Sequence, residues 1–219
     1  MKLVLHPCPR SEIDPLLLIL LPGLNIPADD FVTHGFIAAL HQGESAVDAL
    51  VAEADLDSYF DGAVARQIVT LIADRTSRPY RRIWLGGISL GCFGALLAAS
   101  VKPETVEGAI LLSPFLGTPG FIAEIERAGG FSSWQPGAIA ADDHERQVGA
   151  WLKSHTNADG SPPVLHLGYG VSDRFATGAA LLAARLPPRQ LCVVAGAHDW
   201  PTWTLLWQRI LAGRPFAQA

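Results

Sequence analysis

Short apolar runs alternate along this chain with stretches of helical spacing, and no other feature restricts the possible folds as much. Continuous apolar runs such as LLLILL (16–21) indicate strands that are buried on both faces. Stretches such as GAVARQIVTLIA (62–73) place apolar residues along one side of a helix. A chain that repeats strand and helix in this order forms a mostly parallel sheet covered by helices. The sequence therefore predicts an α/β fold.

The predicted elements follow from these runs and their turn residues. Strands are predicted at LLLILLPG (16–23), AVDALVAE (46–53), RRIWLGGIS (81–89), VEGAILLSPFLG (106–117), SPPVLHLGYG (161–170) and RQLCVVAGAH (189–198). The alanines of the second run leave a helix as an alternative there. Helices are predicted at DDFVTHGFIAAL (29–40), DGAVARQIVTLIADRT (61–76), LGCFGALLAAS (90–100), ATGAALLAARLP (176–187) and PTWTLLWQRILAG (201–213).

Residues 117–160 interrupt this alternation. They hold a helix-like piece (121–128), a loop rich in Gly, Ser and Pro (129–137) and a charged helix (142–155), with no strong strand. An insertion of this kind in one domain of residues 1–219 indicates a small cap or lid. An ordinary crossover helix with long loops explains the segment equally well.

The composition narrows the class of protein. Of 219 residues, 49% are hydrophobic and 17% are charged, which is enough apolar material for a well-buried core. The net charge of −5 provides no basic surface for nucleic acid or an anionic membrane. The cysteines Cys8, Cys92 and Cys192 lie far apart and form no metal-binding or redox pair. The N-terminus lacks a signal-peptide pattern and no apolar run could cross a bilayer, so we expect a cytoplasmic protein.

One serine stands alone between glycines where a predicted strand turns into a predicted helix. In GGISLG, Gly87 and Gly91 lie two positions away from Ser89 on either side. The Gly-x-Ser-x-Gly pattern also occurs by chance, so an ordinary turn containing a serine is the alternative. The strand–turn–helix setting is what a nucleophile elbow requires, because side chains at both glycine positions would collide with the returning backbone. We therefore interpret Ser89 as a candidate nucleophile at a helix N-terminus.

A serine nucleophile needs a base and a carboxylate that orients the base. Among the seven histidines, only His198 follows the last predicted strand, at the edge where catalytic groups gather in open α/β sheets. Asp173 follows the preceding strand, with room for one helix and one strand before His198. Asp199 adjoins His198 and cannot easily reach its ring. Asp142 and Asp143 are interpreted as helix caps.

The sequence resembles the α/β-hydrolase superfamily over nearly the whole chain. The resemblance is carried by GGISLG, GVSDR and GAHDW, which give the triad order Ser89, Asp173, His198. The piece HDWPTW also resembles the histidine region of esterases related to the antigen 85 mycolyltransferases. The superfamily resemblance implies that Ser89 is the nucleophile, His198 the base and Asp173 the acid.

The same resemblance implies an oxyanion hole of two backbone N–H groups, those of Leu90 and Leu24. In LLPGLN, Pro22 stands where the superfamily usually has a histidine while Gly23 remains, so Asn25 is the second candidate for the latter donor.

The predicted function is therefore that of a serine hydrolase, which cleaves a carboxylic ester of a small or medium apolar acyl group through an acyl-enzyme intermediate. We expect a small-molecule substrate and no metal, cofactor, nucleic-acid or membrane partner. An acyltransferase or thioesterase with the same triad, or a non-catalytic binding protein on this fold, is the alternative. Aromatic residues in or beside the insertion either line an acyl pocket or pack in a core; they are Phe115, Phe121, Phe131, Trp134 and Trp151.

Overall fold

The computed structural model describes residues 1–10, 16–43, 45–74, 80–155 and 163–217. Within them, the strands are β1 (Lys2–His6), β2 (Leu16–Leu21), β3 (Val47–Glu53), β4 (Arg82–Ile88), β5 (Gly108–Leu112), β6 (Val164–Gly170) and β7 (Leu191–Val194). They form one sheet in the order β1-β3-β2-β4-β5-β6-β7, in which only the β1–β3 pair is antiparallel. The predicted α/β class and the six predicted strands are confirmed, and AVDALVAE forms strand β3 rather than a helix.

Helices cover both faces of this sheet. They are α1 (Asp30–Thr33), α2 (Phe36–Gln42), α3 (Leu56–Phe60), α4 (Ala63–Ala73), α5 (Leu90–Val101), α6 (Pro119–Arg127), α7 (His144–His155), α8 (Ala176–Ala183) and α9 (Trp200–Ala212). The core formed by α1, α2 and α9 lies on one face, and the core that includes α3 to α8 lies on the other. Parts of three predicted segments, residues 75–76, 156–160 and 161–162, lie outside the described residues.

Strand β2 lies inside the sheet between β3 and β4, and both of its faces are buried. All six of its side chains are at most 2% exposed. Leu17, Ile19 and Leu21 belong to the core shared with α4 and α5, while the alternate leucines belong to the core shared with α1, α2 and α9. Burying one such side chain contributes roughly 1.5–3 kcal/mol. The apolar run that predicted a doubly covered strand therefore anchors both helical layers.

The predicted helix over residues 29–40 is wrong in one respect, since it is two short helices. Gly35 separates α1 from α2 and has a φ of 75°, a left-handed conformation that ends one helix before the next begins. Phe31 and Phe36 lie on either side of this break and pack edge to face, with ring centroids 5.3 Å apart. The Asp29 side chain makes no capping hydrogen bond. The apolar residues keep helical spacing in the sequence, but the backbone does not continue as one helix across Gly35.

Two elements were not predicted. Strand β1 lies at the edge of the sheet, and its Leu3 and Leu5 side chains are 46% and 49% exposed. Helix α3 has only five residues, and its start is set by Asp55, whose carboxylate accepts a hydrogen bond from the Ser58 N–H at 2.9 Å. Neither a half-exposed edge strand nor a single helical turn produces a strong apolar pattern in the sequence.

The insertion contributes to the core as well as to the surface. Phe121, Phe131 and Trp134 are at most 3% exposed, so for these three the interpretation as core residues holds. The Trp134 Nε1–H donates to Glu124 at 2.8 Å. Helix α7 packs on α5, and α6 packs on α8. A lid function for this segment stays a prediction. No helix in the described parts of the chain combines the length and apolar character needed to span a membrane.

Asp48 provides a test of how the N-terminal segment is attached. This fully buried residue of β3 accepts hydrogen bonds from the Cys8 N–H at 2.8 Å and from the Tyr80 hydroxyl at 2.7 Å. We expect Asp48→Ala to lower the free energy of unfolding by about 2–3 kcal/mol, because buried donors lose their acceptor. Urea denaturation measures the change. The exposed Asp57→Ala serves as control, and equal stability of both variants would contradict the prediction.

Candidate active site

Ser89 lies in the tight turn between the end of β4 and the start of α5, with φ 55° and ψ −116°. A positive φ is unfavourable for a residue that has a Cβ, and strain of this kind clusters at functional sites. The Ser89 N–H donates to the Leu112 carbonyl at 2.9 Å, and the Ser89 carbonyl accepts from the Phe115 N–H at 3.1 Å. Strand β5 and the residues after it therefore help to hold the serine in this conformation.

Gly87 and Gly91 permit this turn because neither position has room for a side chain. A Cβ on Gly87 would lie 2.4 Å from the Gly91 carbonyl carbon. A Cβ on Gly91 would lie 2.0 Å from the Leu21 carbonyl oxygen. Both contacts are with backbone atoms, which cannot move aside as the end of a side chain can. The chain can therefore double back at Ser89 only when glycine occupies both positions.

The structure brings Ser89, His198 and Asp173 together at the carboxyl edge of the sheet, from three separate loops. His198 Nε2 lies 3.0 Å from Ser89 Oγ. His198 Nδ1 lies 3.0 Å and 2.9 Å from the two carboxylate oxygens of Asp173. A Nδ1–H that donates to the carboxylate leaves Nε2 free to accept the proton of the Ser89 hydroxyl. The three side chains thus form a continuous chain of hydrogen bonds, along which the serine proton can pass as far as Nε2.

Two loops meet through their backbones to place the acid and the imidazole. Gly170 ends β6, and a Cβ on it would lie 2.4 Å from the Gly196 carbonyl oxygen in the loop after β7. That same oxygen accepts a hydrogen bond from the Ser172 N–H at 2.9 Å. The Asp173 N–H donates back to the Gly170 carbonyl at 3.1 Å. This contact between loops sets the distance between Asp173 and His198.

The Asp173 carboxylate is buried, and its side chain has no exposed surface. Burial by itself raises the pKa of this carboxyl, but hydrogen bonds from His198 and the Phe175 N–H, together with the neighbouring Ser113 hydroxyl, outweigh burial and bring the pKa below its ordinary value. The Phe175 N–H donates to it at 2.8 Å. Asp173 is therefore an anion at neutral pH, placed to stabilise an imidazolium at His198.

Ser113 is a polar neighbour of Asp173 that the sequence did not identify. It directly follows β5, is 1% exposed and has a φ of 49°. Its hydroxyl makes no hydrogen bond of good distance and angle within the described residues, yet it lies close enough to the carboxylate to lower the pKa of Asp173. We interpret the contact as a long or poorly aligned hydrogen bond. Since a serine after a strand is common, no sequence signal pointed to this residue.

Aromatic rings enclose the imidazole of His198. The rings of Phe175 and Trp203 each lie edge to face with it, with centroids 5.0 Å away and interplanar angles of 88° and 89°. The Asp199 carboxylate is used as a helix cap: it caps α9 by accepting from the Thr202 N–H at 3.0 Å. The rings restrict rotation of the imidazole, and Asp199 has a structural role.

The turn after β2 and the start of α5 border one cleft beside Ser89. Gly23, Leu24, Asn25 and Leu90 are among the residues that line this cleft, which has a volume of about 440 Å³. Gly23 approaches the serine so closely that a Cβ on it would lie 3.3 Å from Ser89 Cβ. The Leu90 N–H opens helix α5, where no carbonyl of the same helix can accept its hydrogen bond. The candidate donors Leu24 and Leu90 therefore border the same space.

Other titratable groups have structural explanations. Burial, followed by the charge of Arg189, lowers the pKa of His166 to about 4, so that this strand residue is neutral at pH 7. The Asp143 carboxylate accepts from the Arg146 N–H at 3.1 Å, which is the expected capping role at the start of α7. In the described ranges, no three His, Cys, Asp or Glu side chains are arranged to hold a metal ion.

A family model described as "Putative esterase" matches residues 26–213 of this chain, which is most of its length. The chain belongs to this esterase family. It is accordingly a carboxylic ester hydrolase, and the superfamily that the sequence motifs indicated is confirmed. No sequence among the curated proteins matches the chain.

Solved esterases and serine hydrolases share the fold. FphF, a fluorophosphonate-binding serine hydrolase of Staphylococcus aureus, is 15% identical, with 93% of this chain and 85% of that chain covered at a TM-score of 0.65. Est1E from Butyrivibrio proteoclasticus is 18% identical, and the match covers 96% of this chain and 91% of Est1E at a TM-score of 0.67. S-formylglutathione hydrolase (FrmB) from Staphylococcus aureus is 15% identical, with coverages of 92% and 82% and a TM-score of 0.62. The esterase described here therefore has the α/β-hydrolase fold.

The glycines of the turn give the first test of this site. We expect Gly87→Ala and Gly91→Ala each to reduce kcat/KM by about a hundredfold, because a displacement of about 1 Å at Ser89 costs on that order. Both should also lower Tm, since the new Cβ meets backbone. Gly120→Ala is the matched control: this helical glycine has no atom within 4 Å of the added Cβ. Near-normal activity in both turn variants would contradict a nucleophile elbow.

Proposed function

We propose that this esterase hydrolyses its ester through an acyl-enzyme formed on Ser89. His198 is the general base, and Asp173 is the acid that orients it. The observation that carries this assignment is the pair of contacts at one imidazole, 3.0 Å from Nε2 to Ser89 Oγ and 2.9 Å from Nδ1 to the Asp173 carboxylate. An imidazole held between a hydroxyl and a buried carboxylate is the arrangement that activates a serine.

The reaction then proceeds in two halves. Ser89 Oγ attacks the ester carbonyl while its proton passes to His198 Nε2, and the imidazolium returns that proton to the departing alcohol. In the second half, a water molecule gives a proton to His198 Nε2 and attacks the acyl carbonyl. The imidazolium then returns that proton to Ser89 Oγ, the bond from Oγ to the acyl carbon breaks, and the carboxylic acid is released. Asp173 stays ionised throughout and stabilises the imidazolium in both halves.

The negative charge that develops on the carbonyl oxygen needs donors. We propose the backbone N–H groups of Leu90 and Leu24 for this role, with Asn25 as the second choice for the latter. Their support is the cleft that both border beside Ser89, together with the N-terminus of α5, whose dipole favours negative charge there.

We propose that the acyl group occupies a second cleft, which meets the first at Leu90 and Tyr59 and which we call the aromatic cleft. Its volume is about 490 Å³, and its lining includes Tyr59, Phe60, Leu90, Phe93, Phe115 and His144. Phe115 packs edge to face against Phe175, and Phe175 against His198, so aromatic rings lead from the imidazole to this cleft. An apolar acyl group of small or medium size fits such walls.

The remaining parts of the function are also proposals. The net charge of −5 supports a small-molecule ester as substrate rather than a nucleic acid or an anionic membrane, and the composition supports a cytoplasmic location. Transfer of the acyl group to an alcohol, or cleavage of a thioester, would use the same three side chains. Product partition in the presence of added alcohol, and activity on a matched thioester, separate these reactions from ester hydrolysis.

The nucleophile can be tested by covalent labelling. We expect a fluorophosphonate probe to label the wild-type protein once, on Ser89, and Ser89→Ala to lose both labelling and hydrolysis of p-nitrophenyl butyrate. Mass spectrometry locates the label, and circular dichroism confirms that the variant is folded. Ser132→Ala, at an exposed position, is the control. Labelling that persists in Ser89→Ala would place the nucleophile elsewhere.

The acid can be tested by a change of one functional group. Asp173→Asn retains the shape of the side chain but presents a partner that favours the wrong imidazole tautomer, so we expect kcat to fall by about 10⁴-fold. Steady-state kinetics on p-nitrophenyl butyrate measures the loss, and the exposed Asp74→Asn is the control. A loss of less than about tenfold would point to a different carboxylate, with Asp142 and Asp143 next in line.

A further inference from the structure

The aromatic cleft has two walls of different origin. Helices α3 and α5 provide one wall, including Phe60 and Phe93. The inserted segment provides the other, through Thr118, Ala140 and the start of α7 at His144. Leu90 lies at the end of the cleft nearest to Ser89. An acyl chain attached to Ser89 would therefore run from Leu90 between these walls.

His144 connects the inserted segment to the turn between α3 and α4. Its ring lies against Gly62, the residue before α4, so closely that a Cβ on Gly62 would be 2.6 Å from ring atoms Cε1 and Nε2. Gly62 has a φ of 70°, a conformation that suits glycine. On the other side, His144 Nδ1 lies 3.0 Å from the Gln147 side-chain oxygen. The ring is thus held between a backbone position and a hydrogen-bonding partner.

Three carboxylates, those of Asp142, Asp143 and Glu145, lie beside His144 in the cleft lining, and two of them are engaged by neighbours of their own. Glu145 accepts hydrogen bonds from the Thr118 N–H at 2.7 Å and the Thr118 hydroxyl at 3.0 Å. Asp143 pairs with Arg146 at 3.0 Å. These contacts stabilise the start of α7, and the exposed surface of the cleft is mainly apolar. The position of the His144 ring is therefore set by Gly62 on one side and Gln147 on the other.

From this geometry we infer that His144 is a specificity-determining residue, whose ring over Gly62 closes the aromatic cleft and limits the length of the acyl chain that the esterase accepts. The inference rests on the proposed function, because it takes Ser89 as the acylated atom. The substrate class is then esters of apolar acids of short to medium length. A chain that reaches the ring must displace it from Gly62 and Gln147, whereas a shorter chain lies in the part of the cleft between Leu90 and the ring.

The test is a chain-length series. Wild-type kcat/KM is measured for the p-nitrophenyl esters of acetate, butyrate, hexanoate, octanoate and decanoate. We expect it to rise over the short acids and then to fall. In His144→Ala we expect the ratio of kcat/KM for the first disfavoured ester to that for acetate to rise about tenfold, the scale on which a pocket discriminates one methylene group. His144→Trp should shift the fall to shorter acids.

His155→Ala is the matched control, since His155 is a histidine at the other end of α7 and stacks on Trp151. Its chain-length profile should equal that of the wild type. A His144→Ala profile identical to the wild-type profile, or a wild type that accepts every acid of the series equally, overturns the role of His144 while the proposed function stands. If the wild-type protein hydrolyses none of the esters and no fluorophosphonate labels Ser89, both proposals fail together.

Discussion

The close approach of helix α5 to strand β2 is the constraint on which the site depends. At Gly91 the helix backbone comes so near the Leu21 carbonyl that even a methyl group is excluded. This contact fixes where α5 begins, and the beginning of α5 determines the torsion angles of Ser89 and the direction of its hydroxyl. A strand buried on both faces is rigid enough to supply such a reference surface. The position of the turn at Ser89 is therefore set by the packing of the core beneath it.

The same type of contact recurs on the other side of the site. Gly170 and Gly196 let two loops touch through their backbones, and the loops carry Asp173 and His198. Each member of the proposed triad is thus located by main-chain packing at the end of a strand, and side-chain hydrogen bonds then orient its functional group. Such an arrangement holds the charged groups in position before a substrate binds. This preorganisation is the source of most of the electrostatic contribution to enzyme catalysis.

Sequence patterns were sufficient for the doubly buried strand and for the turn at Ser89. The continuous apolar run of β2 indicates burial on both faces, and the strand–turn–helix setting of the glycine-flanked Ser89 favoured the tight turn over an ordinary one. The break at Gly35 could not be predicted, because the apolar residues Val32, Phe36 and Leu40 keep a helical spacing of four residues across it. Ser113 was missed for a different reason. Its importance comes from its left-handed backbone conformation and its burial, and the residue type alone predicts neither of them. Tertiary contacts decide such positions.

The different origins of the two walls of the aromatic cleft affect how the sequence of such an esterase can evolve. The residues of the proposed triad lie at the ends of β4, β6 and β7, whereas one wall of the aromatic cleft belongs to the inserted segment. Substitutions at the positions of this segment that line the cleft can therefore change the shape of the cleft while the proposed triad residues stay the same. Under the proposed function, reaction chemistry and acyl selectivity are encoded in separate stretches of the chain.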